Sequence, residues 1–135
     1  MSSSMQSRWM RRAALLTGSA LVSSTLTFAC AGDPPMRRYH ARGVVKEITG
    51  GGSQLSASIL HEAIPHFEGR DGKQAEMPSM TMDFGVADDM PRALFGQGQK
   101  IAFDFEVRWS QRPAMRIVKA EALSPETELH VEDRP

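Results

Sequence analysis

The chain has 135 residues, with 16 basic and 16 acidic side chains, but its first thirty carry three arginines (Arg8, Arg11 and Arg12) and no acid. The remainder therefore holds 13 basic against 16 acidic side chains, a net charge of −3, which argues against nucleic acid or an anionic membrane as the main partner, because both select basic surfaces. About a hundred residues make one domain with one core, and the single cysteine, Cys30, excludes an internal disulfide, a Cys-rich zinc site and a CxxC redox pair.

Residues 1–12 are polar and positive, and Ala13 to Phe28 is an uncharged run of apolar and small residues. That run is about sixteen residues long, short of the roughly twenty a spanning helix needs. With Cys30 and its small neighbours following, residues 1–30 have the order of a secretory signal peptide. Thr27-Phe28-Ala29-Cys30 resembles a lipobox, which would lipidate Cys30, although Leu26 stands one place too early for it. Ala29-Cys30-Ala31 also fits a small-x-small cleavage site, and Arg11-Arg12 raises a twin-arginine route. Every route leads to the periplasm, with the domain either free or lipid-anchored to the membrane.

Residues 31–38, with Pro34-Pro35, read as a tether to a domain over 39–123. Tyr39 to Thr49 is rich in alternating and β-branched residues, Gly50-Gly51-Gly52 turns it, and Gln54 to His61 puts Leu55, Ala57 and Ile59 on one face, so the spacing predicts a hairpin. The pattern then fails, and His66 to Glu76, polar and containing two glycines, is expected to be an exposed loop. Pro78 to Phe84 resumes alternation, Ala87 to Leu94 suits a helical turn started by Asp88, Asp89 and Pro91, and Gly96-Gln97-Gly98 turns the chain. Ile101 to Trp109 alternates strongly, and Pro113 to Leu123 supplies a last strand. Residues 124–135 form an acidic tail without an apolar face, expected to fray. Five short strands without a long amphipathic helix predict an all-β chain. An OB-like five-stranded barrel hides the strand edges, and a small open sandwich is the alternative.

The methionines are the most informative residues. The chain has nine, and Met77, Met80 and Met82 fall within six residues. Side chains two apart on a strand share a face, so Met80 and Met82 present two thioethers together. Met77 lies just before Pro78, where the chain can curl toward them, and His61 ends the preceding strand. Thioether sulfur is neutral, soft and polarizable, and suits Cu(I) and other soft monovalent ions. Methionines two apart also serve as core filler, and a lone histidine at a strand end is seldom a ligand; their conjunction with an export signal favours binding.

Other residues imply no chemistry of their own. His40 and His130 read as exposed histidines, and Asp88-Asp89 as a helix cap, since no nucleophile or histidine completes an acid–base arrangement. Arg108, Arg112 and Arg116 read as solvated, and Phe103, Phe105 and Trp109 as core rather than as a stacking platform for single strands. The chain is therefore expected to be a carrier and not an enzyme. The alternative is an interaction module of an envelope complex, with the methionines as adaptable contact surface and no metal role.

His61-Glu62-Ala63-Ile64-Pro65 followed by Met77-Pro78-Ser79-Met80-Thr81-Met82-Asp83-Phe84 resembles the metal-binding segment of CusF-type periplasmic copper- and silver-binding proteins. Gly43-Val44-Val45-Lys46 is similar to that family's first strand, and Gly96 to Phe103 to its turn into the fourth; the resemblance spans Tyr39 to Ala122. It implies an OB-like barrel binding Cu(I) or Ag(I) through His61, Met80 and Met82. The implied role is metallochaperone in copper and silver efflux, or related envelope copper handling, with an envelope efflux or copper-transfer protein as partner. Where the best-known members carry a tryptophan lid, this chain has Met77, which implies a fourth ligand in its place. The family joins its histidine and methionines by a short connection, whereas residues 66–76 look expanded here. A surface loop of that size costs little to close, though it brings His66 forward as a rival to His61 and leaves Trp109, on the apolar face of its strand, as a weaker candidate lid.

Overall fold

A computed structural model describes Gly32 and residues 34–132. The signal-like segment and Cys30 lie outside the described residues. Seven strands follow in chain order: β1 (Arg37–Thr49), β2 (Ser56–His61), β3 (Ile64–Glu68), β4 (Gln74–Met77), β5 (Met80–Val86), β6 (Lys100–Val107) and β7 (Met115–Ala122). Five of them close into the expected barrel in the order β1-β2-β5-β7-β6, while β3 and β4 form a separate two-stranded sheet. The OB-like expectation therefore holds, and each anticipated barrel strand lies within a few residues of its place.

The long β1 reaches both neighbours because it bends. It pairs antiparallel with β6 from Arg37 to Val44 and with β2 from Gly43 to Thr49, and the register slips between Val45 and Glu47. An extra residue at such a slip kinks a strand and increases its twist, which lets one strand serve two sides of a small barrel. Closure comes from β5 and β7, which run parallel and pair Gly85 with Arg116 and Val86 with Ile117.

Alternation fills the interior. Ile101, Phe103, Phe105 and Val107 of β6, Ala57 and Ile59 of β2, Val45 of β1 and Phe84 of β5 are all buried. Phe84 stands at the centre, its ring edge-on to Phe103 at 5.3 Å and to Phe105 at 5.0 Å, a favoured geometry for aromatic pairs. Phe103 and Phe105 are thus core, as their spacing predicts.

Two expectations are corrected. Residues 66–76 are not a loop but most of a β-hairpin: Ile64 pairs with Met77, Phe67 with Ala75 and Glu68 with Gln74. The polar, glycine-containing stretch is its turn, closed by hydrogen bonds from Gly69 N–H to the Lys73 carbonyl (3.0 Å) and from Lys73 N–H to Asp71 Oδ1 (3.0 Å). Pro65 and His66 spoil the alternation that would have marked β3; His66 adopts a left-handed conformation (φ 58°) where the register breaks. Buried Phe67 ties the hairpin down against Tyr39 (5.0 Å between rings) and edge-on against Trp109 (6.3 Å). Trp109 is therefore packing, and His66 is exposed on the hairpin.

The tail is the second correction. Leu123 N–H donates to the Lys100 carbonyl (2.8 Å), and Lys100 Nζ donates to the carbonyls of Pro125 (2.8 Å) and Thr127 (2.7 Å). Farther on, the His130 amide donates to Glu62 Oε1 (2.9 Å) and the Glu132 amide to Ser79 Oγ (2.8 Å). Hydrogen bonds between the tail's backbone and side chains of the barrel, which leave no periodic trace in a sequence, hold the segment in place of an apolar face. A smaller difference concerns Ala87 to Leu94: the helical turn there is a 3-10 turn at Arg92–Phe95, entered through Pro91 without a side-chain cap.

Candidate metal site

The site begins with strand register. In the β2–β5 ladder His61 stands opposite Met80 and Ile59 opposite Met82. On β2 the inward face runs Ala57, Ile59, His61, all at 0% exposure. On β5 it runs Phe84, Met82, Met80, passing from fully buried through half-buried to 42% exposed. The two strands thus carry one continuous inward face from the core to the rim, and the histidine and methionines occupy its last rows. Met82 also packs against the core cluster.

Close approach of backbones makes this rim tight. Gly43 of β1 is the register partner of His61, and a Cβ placed there would lie 2.6 Å from the Leu60 carbonyl oxygen, 2.7 Å from Ile59 Cγ2 and 3.0 Å from His61 Cα. Only glycine fits at such distances.

The His61 ring is oriented by its own neighbourhood. Its Nδ1 lies 2.7 Å from the Glu62 carbonyl oxygen. A carbonyl only accepts, so Nδ1 carries the proton and Nε2 presents a lone pair. Nε2 is buried and has no hydrogen-bond partner. Leaving such an atom unsatisfied costs about 1–3 kcal/mol, and a ligated ion would offset that cost. Burial pushes the His61 pKa below its ordinary value, against the opposing pull of the Glu62 carbonyl, so the imidazole is held in the neutral form that binds metals. The ring of Phe84 meets it edge-on at 6.1 Å.

A network of polar groups supports the histidine. Glu62 accepts from Arg42 Nε (2.9 Å) and a terminal Arg42 nitrogen (2.8 Å), besides the His130 amide. Burial alone would raise the Glu62 carboxyl, but the Arg42 hydrogen bond, the His130 amide and the Arg42 charge hold the pKa below the usual carboxylate value. The buried Ser79 hydroxyl donates to the His61 carbonyl (2.7 Å). These partners escape a sequence reading: Ser79 looks like filler between methionines, and His130, exposed as expected, takes part through its backbone.

Met77 ends β4 opposite Ile64, half-buried and packed against the core cluster. The hairpin therefore carries it, rather than the barrel ladder that aligns His61 with Met80. Among the described residues, no three His, Cys, Asp or Glu side chains are grouped to hold a metal ion. The donors offered at the rim are one neutral imidazole and thioethers, a set that suits a soft monovalent ion.

The chain matches, over residues 38–121, the family model described as copper binding periplasmic protein CusF. No curated protein matches it. Among solved structures it is similar to apo-CusF residues 6–88 from Escherichia coli, at 22% identity over 73% of this chain and 98% of that chain, with a TM-score of 0.46.

Proposed function

Because the chain belongs to the CusF family of copper binding periplasmic proteins, we propose that it carries one Cu(I) or Ag(I) ion at the barrel rim as a metallochaperone for efflux across the envelope. His61 Nε2 and the sulfurs of Met80 and Met82 are the ligands, and Met77, at the end of β4, is the fourth. What supports this most is the buried His61 Nε2, without a hydrogen-bond partner, on the strand position opposite Met80. A polar atom in that state lacks a partner that a soft cation supplies.

The donor set also suits a carrier. Thioethers need no deprotonation, the imidazole is already neutral, and Met80 is open to solvent, so a receiving protein with thiolate or thioether ligands can reach the ion from that side. The receiver is an envelope efflux or copper-transfer protein, the place of action is the periplasm, and lipidation of Cys30 would tether the carrier to the membrane. No catalytic step is proposed.

The test is titration of the protein with Ag(I), followed by the methyl resonances of methionine. Saturation at one equivalent, with the Met80 and Met82 methyls shifted, is the expected result. Titration that leaves those resonances in place would overturn the proposal.

A further inference from the structure

The C-terminal segment reaches the same rim, and the way it attaches assigns it a role. Ser79 Oγ is shared: it donates to the His61 carbonyl at 2.7 Å and accepts from the Glu132 amide at 2.8 Å. Two residues before Glu132, the His130 amide donates to Glu62 Oε1 at 2.9 Å, and the Glu62 main-chain carbonyl accepts from His61 Nδ1–H at 2.7 Å. The tail thus holds the chain on both sides of His61, through Ser79 at the His61 main-chain carbonyl and through the carboxylate of Glu62, the residue whose main-chain carbonyl pairs with Nδ1. Ser79 is buried, so its hydroxyl must be satisfied within the protein, and the two bonds above do so.

We propose that Ser79 is a positioning residue and that residues 129–132 are a clasp, together fixing the His61 imidazole for the incoming ion. The proposal rests on His61 being a ligand. Groups that hold a metal-binding histidine without touching the metal typically change affinity by about 10–100-fold when removed. Because clasp and serine share the bond from the Glu132 amide to Ser79 Oγ, removing both should cost less than the two separate losses multiplied together.

The experiment uses the full chain, the variant Ser79→Ala, a truncation after Glu128 that leaves every barrel residue untouched, and the two combined. Each is titrated with Ag(I), and the His61 ring nitrogens are followed by NMR before any metal is added. The expected result is about tenfold weaker binding for each change, less than about a hundredfold for the combination, and displaced His61 ring resonances in all three. Unchanged affinity and ring resonances after truncation would overturn the clasp, as would losses that multiply in the combination. His61→Ala separates the two ideas. If it leaves affinity intact, the ligand reading itself fails; if it weakens binding while Ser79→Ala and the truncation do not, only the clasp fails.

Discussion

Met80 and Met82 share a face of β5 but not an environment, so their alanine variants should separate binding from stability. Met80 is exposed, and Met80→Ala should change folding free energy by no more than about 0.5 kcal/mol. Met82 packs against the core, and Met82→Ala should cost about 1–2 kcal/mol, less than the roughly 2–5 of a fully buried methionine. Both should weaken Ag(I) binding. Calorimetric titration beside urea denaturation checks the pair of outcomes, and equal stability losses would contradict the burial difference. Gly43→Ala acts from the other side: its methyl must displace the Leu60 carbonyl and the His61 backbone, costing about 1–3 kcal/mol. The same denaturation series measures it, and Ag(I) affinity should fall with it because His61 moves.

Elements were legible where their periodicity was undisturbed. β6, with Ile101, Phe103, Phe105 and Val107 alternating, announces itself, and so does β5 with its methionines two apart. β3 did not, because Pro65 and the left-handed His66 interrupt the alternation, and only Ile64 and Phe67 are turned inward. The tail was unreadable for another reason: carbonyls and amides hold it, and every residue has those. His61 and the methionines stand out in the sequence as candidate donors by their chemistry, whereas Ser79 and Glu62, whose hydrogen bonds link them to His61 and its strand, carry no such signal. Phe67 is the hairpin's anchor, so Phe67→Ala should cost about 3–5 kcal/mol. It should also expose the β3 and β4 amides to hydrogen exchange while the β1–β6 amides stay protected; uniform loss of protection would contradict a separately anchored hairpin.

On the scale of the whole molecule, charge ties the barrel's outer surface. Arg38 and Arg108 both donate to Glu106, at 2.8 Å and 3.1 Å, and chiefly the Arg38 hydrogen bond holds the Glu106 carboxyl below its ordinary 4.5. A carboxyl more acidic in the folded state stabilises the fold above the unfolded value, and that contribution disappears as pH falls through the lower folded value. Thermal midpoints of Glu106→Gln should accordingly drop less than those of the parent between pH 7 and pH 3; parallel curves would show that the carboxylate contributes nothing. The parallel junction of Gly85 and Val86 with Arg116 and Ile117 has a mechanical corollary. A ring is as durable as its shortest weld, and this weld sits on the strand that bears both thioethers. Transient parting of the cylinder should begin there, so loosening of the scaffold and letting go of the cargo would share a single stretch of polypeptide.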